Sequence, residues 1–350
     1  MPHSDDLLWG ALGDISRFAA LLTMAELGVA DHLARGPLST PELARRAGAH
    51  APSLRRVLRE LAAMDLVRAV EADAETDAET DAETDAEADA YELTERGGAL
   101  RSDAPGFVRS SIRMLGEEGF WYAMRMLPDT VRTGRSAFIE QYGPLYDYLA
   151  RKPESSTLFD DYMAARAVPF TEGLSERYAF PATGTMVDVA GGKGHILATV
   201  LRANPGLRGV LMDLEHVVDH ARRALAEEGL AERTEVVAGD FFAAVPSGGD
   251  VYLLASILHN WDDEDCVKIL TNVRTAMNPG GRVLILEVVL PDDERPHLGK
   301  DIDLRMLAIF NGGAERSREE YAALLGRAGL AMSDVVELGS GASLIEARQR

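Results

Sequence analysis

The apolar positions of this 350-residue chain fall into three patterns. From Met186 onward, short apolar runs alternate with helical stretches, and each run closes on a polar or acidic residue. MVDVAGGKGH enters a glycine-rich turn, LRGVLMD closes on Asp213, TEVVAGDFF carries Asp240, DVYLLASIL runs into His259, and RVLILE ends on Glu287. Apolar runs between helical segments predict strands buried on both faces, hence a Rossmann-like, doubly wound α/β sheet over residues 181–350. VVELGSGASLIEARQ predicts its closing strand pair. Residues 101–180 read as mostly helical, with aromatic and methionine residues at helical spacing. Over residues 1–100, LSTPELARRAG predicts a helix capped by Ser39 or Thr40 with Pro41 in its first turn, and the next helix puts Leu54, Val57, Leu58 and Leu61 on one face. LVRAV and YELTERG then predict the two wing strands of a mainly α-helical winged helix.

The turn after Asp188 holds Gly191, Gly192 and Gly194 and opens a helix. Such a bared backbone admits close approach of a ligand. The dinucleotide fingerprint G-x-G-x-x-G fails here, because the third position counted from Gly192 is Leu197. The pattern is closer to the D-x-G-x-G-x-G turn of S-adenosylmethionine enzymes, with Ala190 in place of the first glycine. An ordinary turn with incidental glycines is the alternative, and downstream spacing decides between them. Asp213 follows Gly194 by 19 residues, where an acid meets ribose hydroxyls in such sheets. Asp240 offers an acceptor for an adenine amino group, and Phe241 and Phe242 offer a ring face. Three acids at successive strand ends fall on the carboxyl edge of the sheet, where ligands bind.

His259 ends the next run, and Glu287 would lie beside it at the end of the following strand. A neighbouring carboxylate can hold one imidazole nitrogen protonated and leave the other free to accept a proton. A purely structural histidine is the plainer alternative. Asp262, Asp263, Glu264 and Asp265 invite a divalent cation, but they read better as the acidic first turn of a helix continued by CVKILTNVRTAM. No metal is expected.

At these residues the chain resembles the S-adenosylmethionine-dependent O-methyltransferases that include the plant caffeic acid enzymes and bacterial enzymes tailoring polyketides and other natural products. The likeness runs through VDVAGGKG, LMDLEHVV, AGDFF, SILHNWDDEDC, GGRVLILE and DLRMLAIFNGGAERSREEY, which span most of Met186 to Tyr321. The resemblance implies methyl transfer to a hydroxyl, phenolic by expectation, of a small aromatic natural product in antibiotic or other secondary metabolism. It makes S-adenosyl-L-methionine the cofactor and S-adenosyl-L-homocysteine the product. It implies that His259 is the general base, flanked and oriented by Glu287 and Glu315. Asp188, Gly191, Gly192, Gly194, Asp213, Leu214, Asp240 and Phe241 would hold the cofactor. Phe159, Met163, Asn260, Met306 and Asn311 would line the acceptor pocket. Family members use the winged-helix domain to form a homodimer. Two departures stand out: Ala190 in the turn, and Ala255 where relatives often carry a lysine or serine, for which Ser256 is the expected compensating contact.

Charge bears on a second class of function. Arg45, Arg46, Arg55, Arg56 and Arg59 on a helix-turn-helix raise a DNA-binding regulator, yet the net charge of −21 opposes approach to phosphate. No nucleic-acid partner is expected. Much of that charge lies in an insert at 71–90, where ten acids and no base occur between Glu71 and Asp89 and no bulky apolar residue is available; disorder is expected. The single Cys266 excludes an internal disulfide and a cysteine zinc cluster. MPHSDDLLWG lacks a signal-peptide core and no apolar run approaches a membrane span, so a cytoplasmic enzyme without a membrane partner is expected. N- or C-methylation and non-methylating chemistry on the same fold stay open, as does the regulator, and the acceptor is not named by the sequence.

Overall fold

A computed structural model describes residues 6–70, 90–171, 173–338 and 341–350. Seven strands build the principal sheet: β1 (Gly184–Val189), β2 (Leu207–Asp213), β3 (Thr234–Ala238), β4 (Gly249–Ala255), β5 (Met277–Glu287), β6 (Leu330–Glu337) and β7 (Ser343–Gln349). Their order is β6-β7-β5-β4-β1-β2-β3. The first five run parallel, while β7 inserts antiparallel between β5 and β6. Because β1 pairs with β2 on one side and β4 on the other, the strand order reverses at β1, and a crevice opens beyond its carboxyl end.

The β1 residues alternate between two hydrophobic cores. Met186 packs with Leu197, Leu201, Leu211 and Leu253 on one face, whereas Val187 and Val189 pack with Tyr252, Leu254, Ile269 and Leu270 on the other. Covering helices on both faces leave the strands no polar surface to show, which is why their sequences read as continuous apolar runs. Helices His195–Ala203, Glu215–Glu227, Asp263–Ala276 and Arg318–Arg327 connect them.

The chain divides into two compact units. The first comprises residues up to Glu118 together with Glu154–Ala165; the second comprises Gly119–Pro153 and Arg166–Arg350. In the first, helices Thr40–Ala47 and Ala51–Ala63 bury Leu43, Leu54, Leu58 and Leu61, with Val57 half-buried. Val67–Val70 pairs antiparallel with Ala90–Leu93, the wing expected from sequence. Of the acidic insert only Ala90 lies within the described residues. The helical stretch 101–180 divides between the units. Val108–Leu115 belongs to the first, the three helices from Leu127 to Arg151 belong to the second, and helix Pro153–Thr171 contributes to both. Among the described residues no helix is long and apolar enough to cross a membrane.

Candidate active site

The glycine turn sits at the switch point and is tied down by β2. Ala190 adopts the left-handed conformation, with φ of 57°, and its N–H donates to the Met212 carbonyl at 2.7 Å. The sequence departure is therefore met by backbone strain. A left-handed alanine costs roughly 1–2 kcal/mol, so Ala190→Gly is expected to raise stability by about 1 kcal/mol in denaturant melts. A loss of stability would show that the methyl's packing outweighs that strain. A Cβ on Gly191 would stand 2.5 Å from Asp188 Oδ2, so glycine is required there by the carboxylate beneath it. Gly192 N–H donates to Asp213 Oδ2 at 2.8 Å, and Leu214 N–H donates to Asp213 Oδ1 at 2.7 Å. Asp213 thus fixes the turn while keeping lone pairs for further donors.

Asp188 is 2% exposed, and its Oδ2 has no hydrogen-bond partner among the described residues. Burial first, and the Asp213 charge second, push its carboxyl up to about 7. An orphaned carboxylate in a bared turn asks for a cationic or N–H partner. At the end of β3, Asp240 Oδ1 accepts from Phe242 N–H at 2.8 Å, and the rest of this exposed carboxylate stays available. Phe241 and Phe242 lie 4.8 Å apart, centre to centre, and Trp261 stands edge-on to Phe242 at 4.7 Å. Asn272 secures both phenylalanines by donating to their carbonyls at 2.8 and 3.2 Å. A group with an ammonium, ribose hydroxyls and an adenine ring fits these residues: the orphaned Asp188, the strand-end Asp213, and the aromatic cluster beside Asp240.

β4 ends at Ala255, one turn before the histidine. Ser256 is left-handed, with φ of 54°, and donates its N–H to Leu286 O at 3.0 Å; a 3₁₀ turn, Leu258–Asn260, follows. Glu287 Oε1 accepts from both Ile257 N–H and Leu258 N–H at 2.9 Å, so this glutamate clamps the turn's backbone. Its Oε2 lies 3.4 Å from His259 Nδ1, whereas Glu315 Oε1 is only 2.7 Å from the same nitrogen. Glu315 is the imidazole's closer partner. All three side chains are buried.

The loop that carries Glu315 is fastened as tightly. Ala314 N–H donates to His259 O and Glu315 N–H donates to Asp303 Oδ1, each at 2.9 Å. Arg316, also buried, donates to Leu258 O at 3.1 Å and Trp261 O at 2.8 Å, the carbonyls on either side of the histidine. Ser317 and Glu320 then exchange hydrogen bonds in a capping box that starts the next helix. Burial pulls the His259 imidazole down, but the Glu287 charge and the Glu315 hydrogen bond and charge outweigh it, so its pKa lies above the ordinary value. Arg166 opposes them. Glu287 is raised, chiefly by burial.

Of the remaining candidates, Asn260 is buried and donates its amide to Ser256 O at 3.3 Å, bracing the 3₁₀ turn. Met306 is half-buried against the core below β1. Asn311 Oδ1 accepts from Ser136 N–H at 2.8 Å and so holds the start of helix Ala137–Tyr142. Leu214 is exposed. Phe159 and Met163 are half-buried on Pro153–Thr171, in the stretch that belongs to the first unit. The acids from Asp262 to Asp265 form a helix start, with Asp262 Oδ1 accepting from Asp265 N–H at 2.9 Å. Sequence reasoning missed Arg166, Arg316, Asp303 and Trp261. Asp303 and Arg316 lie within the motif DLRMLAIFNGGAERSREEY and Trp261 within SILHNWDDEDC, so only Arg166 fell outside every motif.

The profile described as O-methyltransferase domain matches residues 124–331, well over half of the chain. The chain belongs to the O-methyltransferase family. The profile of the O-methyltransferase dimerisation domain matches residues 9–102, the region read as a winged helix. A phenazine O-methyltransferase of Lysobacter antibioticus is 37% identical over 330 residues, covering 94% of this chain and 92% of that protein. An 8-amino-8-demethylriboflavin N,N-dimethyltransferase of Streptomyces davaonensis is 35% identical, covering 96% of this chain and 92% of its own. Among solved structures, an O-methyltransferase from neocarzinostatin biosynthesis, in complex with S-adenosylmethionine and 2-hydroxy-5-methyl naphthoic acid, aligns with a TM-score of 0.81. It is 34% identical, over 97% of this chain and 98% of that one. This O-methyltransferase uses S-adenosyl-L-methionine as its methyl donor.

Proposed function

We propose that His259 is the general base for methyl transfer to the hydroxyl of a small aromatic natural product, with Glu315 as its orienting partner and Glu287 as the clamp on its turn. The observation that carries this reading is the 2.7 Å contact from His259 Nδ1 to Glu315 Oε1, with the Glu287 carboxylate on the same side. Nδ1–H donates to Glu315, so the lone pair lies on Nε2. A phenol of pKa about 10 is mostly protonated at neutral pH, and an imidazole is a base of suitable strength to take its proton as the oxygen attacks. The cofactor supplies a methyl on a cationic sulfonium whose leaving group is a neutral sulfide. The protein's part is orientation and proton removal. Relatives named for phenazine and naphthoic acid substrates support an aromatic acceptor.

His259, Glu287 and Glu315 each bring one atom within 4.8 Å of the others, a spacing that a divalent ion can also use. Glu287 Oε1 already accepts from two backbone N–H groups and Glu315 Oε1 pairs with Nδ1, whereas Glu287 Oε2 and Glu315 Oε2 have no hydrogen-bond partner among the described residues, so metal dependence is decided by the chelator arm of the test. Residues 9–102 support a homodimer, in which this domain meets its copy. The test is product mass after incubation with methyl-labelled cofactor and a panel of phenols, with and without chelator. One labelled methyl on oxygen, at a rate unchanged by chelator, is the expected result. A labelled methyl on nitrogen or carbon, or activity abolished by chelator and restored by metal, would refute it.

A further inference from the structure

The single proton on His259 Nδ1 faces two carboxylates and can serve only one of them. It goes to Glu315 Oε1 at 2.7 Å, while Glu287 Oε2 stands 3.4 Å from the same nitrogen. Glu287 Oε2 and Glu315 Oε2 are both buried and have no hydrogen-bond partner among the described residues. The residues themselves are closed off, at 0% exposure for Glu287, 3% for Glu315 and 4% for His259. Buried oxygen lone pairs without a donor are costly, and a cation can satisfy them as a proton would.

The donor set is assembled by the fold and held in place. Glu287 ends β5 and grips the turn through its other oxygen, Glu315 is tied by its backbone to Asp303, and His259 sits within the 3₁₀ turn. One ligand atom from each lies within 4.8 Å of the others. Zinc bound tetrahedrally at about 2.0–2.2 Å places its nitrogen and oxygen ligands about 3.4 Å apart. The Nδ1–Glu287 separation already suits that ion, and the Nδ1–Glu315 contact has only to widen. An imidazole with two carboxylates suits Zn²⁺ better than Mg²⁺, which prefers oxygen ligands and keeps several waters. The Arg166 charge works against any cation here, so the expected affinity is micromolar, weaker than that of a four-ligand structural zinc.

We propose that His259 Nδ1, Glu287 Oε2 and the Glu315 carboxylate form a Zn²⁺ site whose occupancy switches the general base off. Zinc takes the Nδ1 lone pair, so the proton of the neutral imidazole moves to Nε2, the nitrogen assigned to the acceptor. No electron changes hands, and turnover itself needs no metal. The binding stands on the geometry alone; the inhibition rests on the reading of His259 as base.

The test uses full-length, untagged enzyme stripped with chelator and titrated with Zn²⁺ or Co²⁺ alone, followed by calorimetry and by the visible absorption of bound Co²⁺. One saturable site per chain is expected, with the Co²⁺ bands of a four-coordinate ion. Turnover should fall at least about tenfold at saturating Zn²⁺, return on adding chelator, and ignore Mg²⁺. E287Q keeps an oxygen for the two backbone N–H groups and E315Q keeps one for Nδ1–H, so each removes a ligand with little else changed. Each should weaken binding at least about tenfold, and in E315Q the zinc concentration that halves the residual turnover should rise by the same factor. His259→Asn replaces either variant that does not fold, for the binding measurement. No saturable site, or one of undiminished affinity in these variants, would overturn the proposal. So would inhibition at an unchanged zinc concentration in E315Q. Zinc that binds as expected yet leaves wild-type turnover intact would support the metal site and refute His259 as the base.

Discussion

His259→Ala is expected to lower turnover by about two orders of magnitude or more while leaving cofactor affinity nearly intact. The magnitude follows from losing a positioned base for an acceptor that is mostly protonated at neutral pH. Affinity is spared because the cofactor candidates lie at the carboxyl ends of β1, β2 and β3 and in the turns that follow them, with Ser256 just after β4, and none lies on the 3₁₀ turn Leu258–Asn260. Deleting the imidazole also leaves Glu315 buried without its partner, so His259→Asn is the better-behaved companion. Its amide can still donate to Glu315 but offers no base. Equal turnover in either variant would remove His259 from the mechanism. The wild-type pH dependence has a definite sign. A folded pKa above 6.5 means that the imidazolium's stabilising pairing with its carboxylates is complete below 6.5 and is lost as pH rises through the folded value. The base form appears over the same rise, so turnover should climb on an acidic limb that lies above 6.5.

Asp188→Asn is expected to weaken cofactor binding by at least about tenfold, because a charge-assisted hydrogen bond of about 1.5–3 kcal/mol becomes a neutral one. Calorimetry on cofactor-free enzyme would measure it, and pH gives a second signature. Asp188 sits near 7 because it is buried, and a bound cation would favour its ionised form. Below about 7, binding must then release the proton. Wild-type affinity should fall by up to about tenfold per pH unit as the pH drops from 7, and level off above it. The same raised pKa predicts that the cofactor-free fold loses stability as pH rises from 3.8 to about 7, since the native state holds the proton more tightly there. Asp188→Asn should abolish both trends. A variant with wild-type affinity and an unchanged pH slope would take Asp188 out of the cofactor site.

The sheet was legible from sequence because its strands are buried on both faces. LRGVLMD and TEVVA coincide with β2 and β3, and the acids at their ends fall where the chain leaves the sheet. The glycines were legible as a bared turn. That Ala190 would hold the left-handed conformation was not, since the alternative, a shifted turn, has the same sequence. His259 was placed at a strand end; in fact a left-handed Ser256 and a 3₁₀ turn separate it from β4, a detail fixed by Glu287 binding two backbone N–H groups. The division of labour between the two glutamates was likewise hidden. Adjacent strands put Glu287 beside His259 by simple topology, but the closer partner, Glu315, comes from a loop 56 residues away along the chain. Arg166 and Arg316 were invisible for a common reason. A buried arginine on a mixed-pattern segment looks like any surface arginine until its carbonyl or charge partners are known.

The central claim is that His259 takes the acceptor's proton, and the most direct test varies how much that proton needs taking. Single-turnover methyl transfer should be measured for wild-type enzyme and His259→Asn with phenols of graded acidity. The wild-type advantage is predicted to be about two orders of magnitude for a phenol of pKa about 10. It should shrink steadily as the phenol becomes acidic enough to be ionised already. An advantage of the same size for acidic and weakly acidic phenols would contradict the account, since the histidine would then be doing something other than removing a proton.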